Sequence, residues 1–156
     1  PSARCFPVLT QLAQRKEYKE NFVFINKCIG NPDEGVTLFF DRPHMASSNF
    51  KRGEDEIAAK ASVLTTKDIF RWQAPPYDLL KCDVEGAEFF LFKHYSEILL
   101  NTKFVILEWH DHESASYLKN EFENLNFSIP KSSVATQSLE NDNPSSGIFL
   151  AQNNNL

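Results

Sequence analysis

The stretch YDLLKCDVEGAE, residues 77–88, joins a run of strand-forming apolar residues to an acidic turn that contains a glycine. Pro75 and Pro76 end any helix ahead of it, so residues 77–82 are predicted to be a strand. The apolar spacing from Phe89 to Tyr95 predicts a helix, giving strand, acidic turn, helix. A second unit of the same kind follows. Residues 104–107, FVIL, predict a strand ending in Glu108, Trp109, His110, Asp111 and His112, and the next segment sets Leu118, Phe122 and Leu125 on one helix face.

Towards the N-terminus, Phe6, Leu9, Leu12 and Ala13 recur at three- and four-residue spacing. They predict an amphipathic helix over 3–16, with Ser2 as N-cap and Pro7 still near the first turn. The block FVFI at 22–25 has the composition of a strand buried on both faces. Turn residues at 30–35, GNPDEG, separate it from a further strand at 36–40, and 41–60 reads as a long loop. Residues 62–66 predict a short strand, Asp68 caps a brief helical turn through Trp72, and 127–129 and 147–150 predict short β segments. Strands alternating with helices, with nearly continuous apolar strand cores, predict an α/β fold. Its sheet is expected to be mostly parallel and covered on both faces, as three α/β/α layers.

A chain of 156 residues, 42% hydrophobic and 24% charged, suits one domain, expected over 1–151, with residues 152–156 fraying. The net charge of -5 and the lack of any basic run argue against a nucleic-acid partner and for a small polar substrate. No apolar stretch approaches the ~20 residues needed to span a bilayer, and no signal segment opens the chain. Cys5, Cys28 and Cys82 leave one thiol over after any pairing, and two of them sit in apolar runs, which points to a reducing, cytoplasmic setting. The chain opens at Pro1 and its only methionine is Met45, so it is expected to be a fragment or a processed product.

Ligands of parallel sheets bind beyond the carboxyl ends of the strands, and two acidic clusters fall on such ends. Asp83 and Glu85 follow one strand; Glu108, His110, Asp111 and His112 follow the next. If these strands are neighbours, their ends lie about 5 Å apart, close enough for the side chains to meet around a general base or a hard divalent ion. Asp83 and Glu85 could equally cap the following helix, where negative charge is favoured. His110 and His112 alternate along an extended segment as a zinc pair would, but no cysteine or further histidine lies near them in sequence, so no zinc site is expected. Ser47 and Ser48 lack the turn of a nucleophilic serine, and Gly30 and Gly35 lack the Lys-Ser or Lys-Thr of a phosphate loop.

Four stretches together resemble the FkbM methyltransferase family: residues 1–12 with Pro1, Phe6 and Leu9; 22–30 with the turn at Gly35; 78–88, DLLKCDVEGAE; and 106–110, ILEWH. The acidic string followed about 20 residues later by Leu-Glu-x-His is the specific part. The resemblance implies a Rossmann-like class I methyltransferase sheet and methyl transfer from S-adenosylmethionine to oxygen on a sugar or another small hydroxylated metabolite. It implies that the glycine-rich part of the cofactor site precedes Pro1, leaving an N-terminally truncated domain that is inactive and unstable alone. Cofactor contacts then fall to Asn26, Cys28 and Asp83, substrate contacts to Ser47 and Ser48, and catalysis to Asp83, Glu85, Glu108 and His110. Trp109 departs from the aliphatic or small residue expected between Glu108 and His110. Two rivals remain: a non-catalytic Rossmann-like interaction domain, and a metal-dependent hydrolase built on the same acidic ends.

Overall fold

Helix α1 (Cys5–Ala13) forms where the sequence places an apolar stripe, and Phe6, Leu9, Leu12 and Ala13 are its less exposed positions. Its N-cap is Arg4, which makes no side-chain cap, rather than the expected Ser2; the Ser2 hydroxyl nevertheless accepts from the backbone N–H groups of Arg4 at 3.2 Å and Cys5 at 3.3 Å. The computed structural model describes residues 2, 4–41, 47–51, 54, 56–110, 112–130, 135–140 and 143–156; Pro1, Met45 and Asp111 lie outside them, as does the side chain of His112.

A short 3-10 turn (Pro32–Glu34), closed by Gly35 at φ 67, leads into β1 (Val36–Asp41), which pairs antiparallel with β2 (Ile57–Ser62). Helix α2 (Thr66–Trp72) follows, then β3 (Tyr77–Cys82), α3 (Glu88–His94), α4 (Ser96–Leu100) and β4 (Thr102–Trp109). The chain ends with α5 (His112–Asn124), β5 (Phe127–Ser128), β6 (Ala135–Glu140) and β7 (Asn143–Asn153). The main sheet runs β3-β4-β7-β5, with β6 on β7.

This overturns the expected mostly parallel Rossmann-like methyltransferase sheet. Among the strands of the described residues only β3 and β4 pair in parallel, beside one isolated parallel bridge between Cys28 and Val63; β7 lies antiparallel to β4, β5 and β6, and the β1-β2 hairpin forms a separate two-stranded sheet. The physical cause is β7, an eleven-residue strand returning alongside β4, where only a short segment at 147–150 was expected. The three-layer expectation fails with it. Helices α3, α4 and α5 pack through Leu91, Phe92, Tyr95, Leu99, Leu118 and Phe122 onto Val105, Leu107, Phe149 and Ala151, while Leu79 and Leu150 on the opposite face stay 56% and 40% exposed. Nor is 22–25 a strand: Phe22 and Val23 are about half exposed, and among the described residues the bridge nearest to it joins Cys28 to Val63. Gln152 and Asn153, expected to fray, pair with Phe104 and Phe127; the buried Asn153 amide donates to the carbonyls of Leu100 and Thr102.

Tyr95 fastens the smaller sheet to the larger one. Its fully buried hydroxyl lies 2.6 Å from the Leu64 carbonyl oxygen and 3.2 Å from that of Gly30. Asp68 is the third residue of α2 rather than its cap: Thr65, in extended conformation, receives the Asp68 N–H on its hydroxyl, and the Asp68 carboxylate accepts from the Thr65 N–H at 2.9 Å. Lys27 completes the cluster with its Nζ 2.7 Å from Asp68 Oδ2. Hydrogen bonds from Lys27 and Thr65 hold the Asp68 carboxyl down at about 2.

Two outcomes follow. Phe122, fully buried edge-to-face against Phe92 and Phe149, should cost about 3–5 kcal/mol of unfolding free energy when changed to Ala, measured by urea denaturation. Because the folded Asp68 pKa lies below its unfolded value of about 3.9, its contribution is complete above that pH and disappears as pH falls towards 2. Asp68→Asn should therefore flatten the acid limb of the stability curve; an unchanged limb would show that Asp68 plays no part in it.

Candidate functional site

The parallel register of β3 and β4 sets Cys82 opposite Leu107, so the next residues, Asp83 and Glu108, leave the two strand ends side by side. The convergence expected of the two acidic strand ends is present. The chain after β3 then turns sharply: Glu85 and Gly86 adopt left-handed conformations at φ 53 and 98, the second of which suits glycine alone. The turn delivers Glu88, the first residue of α3, beneath the site.

His110, just past β4, is the hub. Its Nδ1 lies 2.7 Å from Glu88 Oε1, and its Nε2 lies 3.5 Å from Glu85 Oε2, 3.7 Å from Asp83 Oδ1 and 3.9 Å from Glu108 Oε1. The imidazole is 11% exposed and Glu88 only 2%, whereas Asp83, Glu85 and Glu108 reach solvent. Glu88 Oε1 also accepts the Gly86 N–H at 3.0 Å, so one buried oxygen secures both the turn and the ring. The hydrogen bond that Glu88 accepts from the ring raises the His110 pKa; burial opposes the rise, and the charges of Glu88, Glu85 and Asp83 add to it. A unit positive charge about 4 Å from a carboxylate gains roughly 1 kcal/mol in water and about 4 kcal/mol at a protein surface, and Lys81 already supplies one such charge, with its Nζ 3.5 Å from Asp83 Oδ2.

Beside this tip is a hollow of about 140 Å³ walled by Lys27, Cys28, Ile29, Ser48, Asn49, Val84 and Ala87, with the Lys27 ammonium paired to Asp68. Asn49 spans it, its side-chain amide donating to the Ile29 carbonyl. Cys28 belongs to the hollow, but Asn26 is exposed and does not line it. Ser48 is buried and lines it, with its hydroxyl engaged by Phe50, while Ser47 donates to Asp41 at 2.9 Å. Trp109 points away into the core against Phe149. Burial and neighbouring acids push the Cys82 thiol up to about 12, which removes it as a nucleophile at neutral pH.

Sequence reasoning missed Glu88 as a functional residue. The available signal was a carboxylate placed directly before four apolar or aromatic residues, Phe89 to Phe92, where a buried charge must have a partner. No protein-family model matches the chain, and no curated protein or solved structure matches it significantly. Among the described residues no helix is long and apolar enough to cross a membrane.

With its folded pKa above the usual His value of about 6.5, the Glu88–His110 pair contributes stability below that pH and loses it as pH rises through the folded pKa. In an NMR titration the His110 ring should show a raised midpoint that moves down in Glu88→Gln. An unchanged midpoint would contradict the assignment of cause.

Proposed function

We propose that this chain serves S-adenosylmethionine-dependent O-methylation of a small hydroxylated metabolite, such as a sugar, in the manner of the FkbM family that its motifs resemble. One observation carries the reading: the two motif segments of that resemblance, 78–88 and 106–110, meet around a single carboxylate-held imidazole.

The cofactor supplies an electrophilic methyl group on a positively charged sulfur. The residues present suit such a group, since the acidic tip favours positive charge and the adjoining hollow offers a mainly apolar wall. Asp83 would hold the positive end, and the wall at Cys28, Ile29 and Val84 an apolar end. At about 140 Å³ the hollow takes one end of a ligand and not the whole, because complete ligand sites run to about 300–1,000 Å³.

His110 acts as the proton acceptor. With Nδ1 bonded to Glu88, the neutral form of the ring would present the Nε2 lone pair to the cleft, and Glu88 would steady the imidazolium that forms. Nε2 would take the proton of an acceptor hydroxyl; the cofactor, when bound, would supply the methyl carbon to that oxygen as its carbon–sulfur bond breaks and the sulfur keeps the bond pair. Glu85 and Glu108 border the same space and can accept hydrogen bonds from further hydroxyls of a polyol. Positioning does much of the work, as expected of a reaction between aligned groups. A cytoplasmic setting fits the buried, unreactive Cys82.

The test is transfer of labelled methyl from S-adenosylmethionine to a panel of sugars and small polyols by the full-length protein. His110→Gln should lower turnover by roughly 100- to 10,000-fold, the usual contribution of a general base, and Asp83→Asn should abolish transfer. No cofactor-dependent transfer to any acceptor, or full turnover by Asp83→Asn, would overturn the reading.

A further inference from the structure

Asp41, the last residue of β1, is 7% exposed, and its carboxylate joins two separate parts of the chain. Ser47 donates to Oδ1 at 2.9 Å, and Arg4 reaches both oxygens, with Nη2 3.1 Å from Oδ1 and Nε 3.3 Å from Oδ2. The Ser2 hydroxyl lies 3.1 and 3.0 Å from the same two atoms. A carboxylate this far from water needs such donors, and a two-pronged contact with arginine fixes direction as well as charge. The bond from Arg4 lowers the Asp41 pKa; burial opposes this, and the hydroxyls of Ser47 and Ser2 add to the lowering, so the group is ionised at neutral pH.

On one side of this carboxylate stands α1. None of its residues is buried, and among the described residues the polar ties of this helix and the residues ahead of it to the rest of the chain are the bonds of Ser2 and Arg4 to Asp41. On the other side stands the wall of the hollow. Ser47 does not line the hollow, but its neighbours Ser48 and Asn49 do. The Ser48 backbone pairs with Phe40, the residue before Asp41, and the Asn49 amide donates to the Ile29 carbonyl. Loss of the hold on Ser47 therefore loosens one end of the wall without releasing it, because Phe40 and Ile29 keep theirs.

We propose that Asp41 is a positioning residue: through Ser47 it sets the wall of the hollow, and through Arg4 it makes that setting depend on the docking of α1. A free-energy coupling between two sites is reciprocal, so a ligand end seated in the hollow also firms the attachment of α1. The contacts decide its size. Arg4 is about half exposed, and exposed ion pairs contribute little, so removing its charge alone loosens the wall by a few-fold. Removing the carboxylate loses every bond at once, an effect of about tenfold or more. The consequence for catalysis rests on the methyl-transfer reading above; the coupling itself does not.

The experiment is amide hydrogen exchange, followed by NMR on the full-length protein without cofactor. Its reporters are the Ser48 N–H, bonded to the Phe40 carbonyl, the Phe50 N–H, bonded to the Ser48 hydroxyl, and the Phe6 N–H in α1, bonded to the Ser2 carbonyl. Arg4→Gln should speed exchange at all three by about 2- to 5-fold, while the fully buried Leu107 keeps its rate. Asp41→Ala should speed all three by about tenfold or more. Should Asp41→Ala fail to fold, the half-exposed Arg4 position still decides. In the methyl-transfer assay, Arg4→Gln should raise the KM for S-adenosylmethionine with kcat unchanged, and Arg4→Lys, which keeps the charge, should recover part of the loss. Wall amides unchanged in Arg4→Gln, a Leu107 rate that rises equally, or a KM unmoved in an active enzyme would overturn the proposal. Absence of any methyl transfer would sink the earlier reading alone, because exchange is read without cofactor.

Discussion

A carboxylate with 2% exposure must be compensated, and the 2.7 Å contact between Glu88 and His110 is the compensation on which the site depends. Removing either partner would leave an uncompensated polar group under the sheet end. The same oxygen binds the Gly86 N–H, so the contact joins the start of α3, the turn after β3 and the residue beyond β4 in one hydrogen-bonded unit. Side chains from two strand ends are thereby held in register with the backbone that carries them. The rest of the core supports this joint, with Leu91 and Phe92 of α3 packed beneath Leu107 and Trp109 of β4.

The local part of this arrangement was legible in the sequence. The strand at 77–82 was readable to the residue because Pro75 and Pro76 precede it and an acidic turn follows, and the nearness of Asp83 to Glu108, one residue past the last pair Cys82 and Leu107, followed from the tendency of successive strand-helix units to lie side by side. The non-local part was not. The string NPSSGIFLAQN at 143–153 is apolar only at its centre, and nothing in it announces an eleven-residue strand running against β4. The run FVFI at 22–25 shows the opposite error: β-forming composition without a ladder. Strand pairing depends on distant partners, so composition bounds where strands can form and not which way they run.

The site residues divide on the same line. Asp83, Glu85, Glu108 and His110 stood out as polar groups on strand ends, and they meet. Asn26, Cys28, Ser47 and Ser48 came from resemblance alone: Cys28 and Ser48 line the adjoining hollow, whereas Asn26 is exposed and Ser47 is bonded to Asp41. Glu88 was passed over because a glutamate at a helix start ordinarily serves the helix dipole, and only the packing around it shows that it faces inward.

The central claim is that Glu88 and His110 act as a coupled pair, and a double-mutant cycle measures that coupling directly. Unfolding free energies of the parent, Glu88→Gln, His110→Gln and the double variant, taken in urea near pH 6, should give an interaction energy of about 1.5–3 kcal/mol, the range for a charge-assisted hydrogen bond. Effects that add to within about 0.5 kcal/mol would contradict the account, because residues that do not interact behave in that way.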